Sequence, residues 1–238
     1  MADPRCIAVV TVCRNPGALL REAIDSVQAL RDPRVRQIVV DGASTDGTPE
    51  YLRSMADRLH YWCSEPDGGI YDAMNKGWAA APEDAWVIYI GADDRLLQLP
   101  GADELHAADE AGHGMVYGTT MAGTRAFRSR LDSGIRFRNT LHHQSLLVRK
   151  ELSPSAPFDT RYRVYGDWDF NVRLWRQGVS AVYSPTLRAF AAPGGASAPR
   201  PMVESFRVAR RHGGLTAGIV AWLLAFAAGL PGRAPTGR

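Results

Sequence analysis

The chain has little with which to cross-link itself. Among 238 residues there are three cysteines, Cys6, Cys13 and Cys63, an odd number with no CxxC pair. That excludes a disulfide framework and a structural zinc site, and points to a reducing cytoplasm. Long apolar runs are also missing. Leu215 to Leu230 is sixteen uncharged residues, short of the roughly twenty that a helix needs to span a bilayer, so a multi-span membrane protein is excluded. The apolar run from Cys6 to Cys13 follows Asp3 and Arg5, with no basic leader or small-residue cleavage site, and no signal peptide is expected. An excess of one charge is absent too, with 28 basic residues against 25 acidic ones. The imbalance lies beyond residue 199. There Arg200, Arg207, Arg210, Arg211, Arg233 and Arg238 face only Glu204, a local charge of +5 against −2 for the rest. A balanced body with a basic tail argues against nucleic acid and leaves an anionic membrane surface as a partner.

What is present is ordinary globular material: 45% apolar, 22% charged and 9% aromatic residues. That excludes a disordered or collagen-like chain. A chain of this length buries about 70–75% of its unfolded surface, enough for a core without staples. Ile7 to Cys13 reads as a buried strand, and Leu19, Leu20, Ala23, Ile24, Val27 and Leu30 recur at helical spacing after Asn15-Pro16-Gly17. Gln37 to Val40, His60 to Ser64 and Ala85 to Ile90 read as further strands. Between them lie a helix opened by Thr48 as N-cap with Pro49 behind it, and a helix over Tyr71 to Ala81. This alternation is the signature of βαβ units, so the first half is α/β around a mostly parallel sheet. Beyond residue 112 the pattern is mixed: strands over Met115 to Thr119 and Gln144 to Val148, and a helix over Asp169 to Gln177. The intervening Arg125, Arg128, Arg130, Arg136 and Arg138 read as a mobile basic loop, and Ala191 to Pro201 as an Ala, Gly and Pro loop. The expected division is 1–112, 113–200 within the same domain, and a helical segment over 201–238.

Open α/β sheets bind ligands beyond the carboxyl ends of their strands, and the residues there are acidic. Asp41 follows the second strand, Glu65 and Asp67 the third, Asp93 and Asp94 the fourth. Any one of them could be a turn or cap residue, but together they favour a ligand site. The Asp93-Asp94 pair has the chemistry of a Mg2+ or Mn2+ diphosphate site, where a hard cation shares one or two carboxylates with substrate phosphates. Gly68 and Gly69 open a helix whose free amides attract anions, with Lys76 about one turn inside.

The segments Val10-Thr11-Val12-Cys13-Arg14-Asn15, Asp41-Gly42-Ala43-Ser44-Thr45-Asp46-Gly47-Thr48, Glu65 to Gly77, Gly91-Ala92-Asp93-Asp94, His143-Gln144 and Gly166-Asp167-Trp168-Asp169 stand in a specific order. In that order the chain resembles family 2 glycosyltransferases of the GT-A fold, of the small bacterial kind that build surface polysaccharides. The resemblance implies a transferase that uses a nucleotide diphosphate sugar, with UDP-sugar as the expected donor class, Mn2+ or Mg2+ as cofactor and inversion at the sugar. It implies that Thr11 and Asn15 line the nucleotide pocket, that Asp41 reads the base edge, and that Asp67 lies beside the base. It implies Asp93 near the ribose, Asp94 as the metal ligand, Lys76 supplying the charge that relatives place where this chain has Met74, and Asp167 as the catalytic base. The motif here is Ala-Asp-Asp, without a first acid, which suits one protein carboxylate plus waters.

Other readings of these residues stand beside that one. Asp167 could instead cap its helix, and Asp169, two residues on, could share or take its role. His142 and His143, if on a strand, face opposite sides and cannot share one metal; His143-Gln144 suits the acceptor side. Tyr71, Trp168 and Trp175 fit the core as well as a sugar platform. Leu215 to Leu230, flanked by Arg207, Arg210, Arg211 and Arg233, fits a buried helix or an interfacial one beside lipid, hence the inner face of the cell membrane. The rival functions are a sugar nucleotidyltransferase, whose glycine-rich first loop is missing from Thr11 to Gly17, and an inactive nucleotide-sugar or glycan binding protein.

Overall fold

The computed structural model describes residues 5–153, 155–192 and 201–229. Its elements are β1 (Ile7–Cys13), α1 (Leu19–Gln28), β2 (Val35–Asp41), α2 (Thr48–Ser54), β3 (Tyr61–Ser64), α3 (Ile70–Ala80), β4 (Trp86–Gly91) and β5 (Arg95–Gln98). They continue with α4 (Ala102–Glu110), β6 (Met115–Ala122), β7 (Arg125–Arg128), β8 (Leu146–Arg149), α5 (Gly166–Arg176), β9 (Ala181–Ala191) and α6 (Met202–Gly229). One sheet runs β3-β2-β1-β4-β8-β6-β9-β5, with β7 paired to β6 as a hairpin. The β3-β2-β1-β4 block is parallel, and β8 joins it antiparallel at β4.

The parallel block is apolar on both faces because helices cover both. Ile7, Val9, Ile88 and Leu147 pack with Ala23 and Val27 of α1 and Leu105 of α4 on one side. Val10, Val40 and Tyr89 pack with Met74 and Trp78 of α3 and Trp168 and Phe170 of α5 on the other. On α1, Leu20, Ala23, Ile24 and Val27 form the buried stripe that the spacing predicts. Gly77 sets how close α3 lies, since a Cβ there would stand 2.3 Å from Cγ1 of Val10.

Register places the site. Cys13 pairs with Asp41 and Val12 with Gly91, so the acid-bearing loops after β2 and β4 flank the loop after β1 at the carboxyl ends of the parallel strands.

Several expectations change. The N-cap of α2 is Gly47, in the left-handed region at φ 85°, while Thr48 is already helical and donates its hydroxyl to Asp46. The basic segment is partly ordered as β7, with a 3-10 turn over Ser133–Arg136. His143 opens a 3-10 turn over His143–Ser145 ahead of β8, so the two histidines do not lie on a strand. Ala191 closes β9, while 193–200, Arg233, Arg238 and Leu230 lie outside the described residues.

Candidate active site

The loop after β1 and the loop after β2 are stitched to each other. The Asn15 amide donates to Ser44 Oγ at 2.6 Å, the Thr45 amide donates to Asn15 Oδ1 at 2.8 Å, and the Gly17 amide donates to Asp46 at 2.7 Å. Asn15 and Ala43 hold positive φ, 48° and 56°, a conformation costly for Ala that the surrounding contacts impose. Asp41 is fully buried behind this loop. Its carboxylate accepts from the Ser44 amide at 3.0 Å, from the Ser44 hydroxyl, and from Ser64 Oγ at 2.7 Å. Beside it, burial and then the Asp41 charge push the Cys13 thiol well above its usual range. Thr11 is buried on β1, and its hydroxyl has no hydrogen-bond partner among the described residues.

The third acidic loop reaches the same place. Asp67 accepts from the Gly69 amide at 2.9 Å and lies against Gly42, where a Cβ would be 2.3 Å from its Oδ2. Only a glycine at 42 lets that carboxylate close on the loop after β2. Lys76 is not a free cation: Nζ is 2.8 Å from Glu65 Oε1 and donates to the Pro66 carbonyl at 2.8 Å, which anchors the segment leading to Asp67.

The two acids after β4 differ. Asp94 is buried and accepts from the Gly91 amide at 2.8 Å, Gln144 Nε2 at 3.1 Å and the Ala192 amide at 3.2 Å. Three of its four acceptor positions are therefore occupied by its own chain. Asp93 is half-buried and accepts no hydrogen bond from another described residue; burial first, then the Asp94 charge, raises its pKa. Two carboxylates crowded in this way favour a cation. Among the described residues no group of three or more His, Cys, Asp and Glu forms a cage. The loop therefore fits a hard cation held by one or two carboxylates together with ligand phosphates.

Asp167 lies in the first turn of α5, whose N-cap is Tyr165, so it is not the cap residue. Its Oδ2 accepts from Asn139 Nδ2 at 2.9 Å and is 3.5 Å from His143 Nδ1, while Oδ1 accepts from the Trp168 amide at 2.7 Å. The Tyr71 hydroxyl is 2.6 Å from the Val164 carbonyl and 3.2 Å from Asp167 Oδ1. Gly166 makes room for that ring, since a Cβ there would stand 2.8 Å from it. Burial opposes the charged form of His143, but the hydrogen bond and charge of Asp167, with Asp94 and Asp93 beyond, outweigh it and raise the imidazole pKa. His142 points elsewhere. It lies against Phe127 with ring centroids 4.0 Å apart, and burial, then the neighbouring His143, lowers it to about 4.

Asp169 has a different place. It is fully buried, 3.1 Å from Arg173 Nε, 3.2 Å from Arg211 Nη1 and 2.9 Å from His212 Nε2. It ties α5 to α6 and does not face the loops after the parallel strands. Trp168 is a core residue that donates to the Ile135 carbonyl, and Tyr71 is a core ring with a polar end on Asp167.

Sequence reading missed Asn139, which lies in a polar loop with no pattern around it, and it missed Glu204. That carboxylate accepts from the amides of Arg163 at 2.7 Å, Val164 at 2.7 Å and Tyr165 at 2.8 Å, just ahead of Asp167.

Acid-lined loops at the carboxyl ends of a parallel βαβ block, with a further carboxylate on α5, make an α/β protein whose solved neighbours are of the GT-A type. Residues 8–176 match the family described as Glycosyl transferase family 2, and the chain belongs to that family. It is a glycosyltransferase.

A Mycobacterium tuberculosis protein described as a PGL/p-HBAD biosynthesis glycosyltransferase is 30% identical over 186 residues, 74% of this chain and 71% of that one. An uncharacterized glycosyltransferase of the same species is 38% identical over 112 residues, 47% of this chain and 41% of that one. Among solved structures, residues 1–349 of S. aureus TarS with UDP-GlcNAc superpose with a TM-score of 0.67 at 15% identity, covering 94% of this chain and 73% of that one. The chain spans 39% of the longer TarS chain. A mannosyltransferase of Pyrobaculum calidifontis with GDP-Man and Mn2+ gives 0.62 at 22% identity, covering 98% of this chain and 78% of that one. At these identities the structural likeness establishes the fold.

Proposed function

We propose that the enzyme moves a sugar, with inversion, from a nucleoside diphosphate sugar to a hydroxyl of a glycan or lipid-linked acceptor in bacterial surface glycan synthesis. The observation that carries this reading is the dipeptide His143-Gln144. One side chain reaches Asp167 at 3.5 Å and the next reaches Asp94 at 3.1 Å, so adjacent residues join the carboxylate suited to a base with the loop suited to a diphosphate. Asp167 takes the proton of the acceptor hydroxyl as its oxygen bonds to the anomeric carbon. The bond from that carbon to the diphosphate breaks on the opposite face, and its electron pair leaves with the diphosphate. Tyr71, Asn139 and the Trp168 amide hold the Asp167 carboxylate in one orientation.

Asp93 is the direct ligand for Mn2+ or Mg2+ in this reading. The resemblance gives that role to Asp94; here three of its four acceptor positions are taken by its own chain, so in this reading it fixes the loop and offers the cation at most its remaining position. The cation, when bound, neutralises charge on the diphosphate leaving group. Asn15, Asp67 and the Ser44 loop form the nucleotide pocket, with Thr11 and Asp41 behind it and Lys76 holding the Asp67 segment. Uracil is the base in this reading, in line with the fold neighbour described with UDP-GlcNAc, and guanine is the competing base, since another neighbour is described with GDP-Man. The mycobacterial relatives named for PGL/p-HBAD biosynthesis support the acceptor class. A panel of UDP-, GDP- and dTDP-sugars, assayed with a glycan or lipid-linked acceptor for nucleoside diphosphate release in Mn2+ or Mg2+, tests the assignment. Release from a UDP-sugar that Asp167→Asn abolishes supports it, and turnover of GDP-sugars alone overturns the uracil assignment.

A further inference from the structure

We propose that α6 seats the enzyme on an anionic lipid surface, with its second half lying in the interface. The helix breaks at Gly214, at φ 77° and ψ −173°, and its halves fold against each other. A Cβ on Gly218 would stand 2.9 Å from the Phe206 ring and 3.1 Å from Cβ of Arg210. Only Ala217, Gly218 and Ala221 of the second half are buried. The rest of its described surface is apolar apart from Thr216, with Leu215, Ile219, Trp222, Leu223, Leu224 and Phe226 all exposed. A helix that is apolar all round and packed on one side only is not made for water. No helix among the described residues is long and apolar enough to cross a membrane, which leaves the interfacial arrangement.

Charge on the same surface selects the partner. Val203, Phe206, Ile219 and Trp222 line a groove of about 290 Å³ between the halves. Val203, Phe206, Arg207 and Arg210 are spaced i, i+3, i+4, i+7, so the two arginines share the stripe that lines the groove. Both are exposed and form no ion pair with any described residue, unlike Arg211, which is held by Asp159 and Asp169. An apolar wedge rimmed by free guanidinium groups complements acyl chains beneath anionic headgroups. This extends the proposed function, whose acceptor is a glycan or lipid-linked molecule, but vesicle binding is read without turnover, so either can fail while the other stands.

The test is flotation of the full chain with vesicles of phosphatidylcholine alone or with added phosphatidylglycerol, over a salt series. Binding to the anionic vesicles, weakened by salt, is expected. Arg207→Ala with Arg210→Ala should lose about fivefold in partitioning per arginine. Trp222→Glu with Leu223→Glu should lose binding altogether while the circular-dichroism melt is retained. Equal binding to neutral vesicles at all salt concentrations, or unchanged binding of the Glu variant, overturns the proposal. So does a dimer in solution that Trp222→Glu dissociates while the wild type ignores vesicles, which would make the face an interface between copies.

Discussion

At the scale of single residues, the three carboxylates closest to the proposed chemistry are distinguished by what already binds them. Asp167→Asn keeps the shape and most of the contacts from Tyr71, Asn139 and Trp168 but removes the proposed base. Transfer should fall by about 10² to 10⁴ while UDP binding in calorimetry stays within about twofold. Asp93→Asn should lose Mn2+-dependent UDP binding without a change in Tm, whereas Asp94→Ala should lower Tm because the Gly91 amide and Gln144 lose their acceptor. His143 gives a pH signature. Its folded pKa is raised above the ordinary 6.5, so the stability it contributes is complete below pH 6.5 and fades as pH rises through the raised value. Thermal melts of wild type and His143→Gln should therefore converge on the alkaline side of that window and differ most on the acid side. A difference that grows with rising pH would contradict the Asp167–His143 pairing.

At the scale of elements, α5 and α6 form one device for placing Asp167. Glu204 gathers the three amides that precede α5, and His212 and Arg211 hold Asp169 two residues beyond Asp167, so α6 grips both sides of the turn that carries Asp167. Glu204→Ala should cost about 1–3 kcal/mol of stability and lower kcat for transfer more than it changes UDP affinity; Glu204→Gln, which can accept only at its carbonyl oxygen, should fall between. The same elements show what a sequence can and cannot disclose. Strand β1 was legible to the residue because Ile7–Cys13 is apolar but for Thr11 and buried on both faces. Strand β9 was not. Pro185 and Arg188 interrupt its run, and the register shift between Tyr117 and Thr119 absorbs the break, with Gly118 so close to the Leu187 carbonyl that a Cβ would clash at 2.0 Å. Elements β5 and α4 escaped for a related reason: they are short and carry few buried residues, Leu96 on one and Leu105 and Ala108 on the other.

At the scale of the whole molecule, the acids of the site were legible because the sheet topology itself puts the ends of β1, β2 and β4 side by side, while their partners come from far along the chain. Asn139 meets Asp167 across 28 positions and Tyr71 meets it across 96, distances over which no local pattern is informative. Ligand binding should be felt across the same span, since the proposed donor pocket draws on loops after β1, β2, β3 and β4. A ligand that binds only the folded state stabilises it by about 2.7 kcal/mol at a hundredfold excess over Kd. For a domain above 200 residues that corresponds to a rise of roughly 5–10 °C in Tm. UDP with Mn2+ should produce such a shift in wild type and in Asp167→Asn alike, and EDTA should remove its Mn2+-dependent part. Asp93→Asn should show UDP without the Mn2+-dependent part of the shift, and GDP should give a smaller rise than UDP. An equal shift in Asp93→Asn would move the cation to Asp94, and a larger shift with GDP would replace uracil by guanine in the donor.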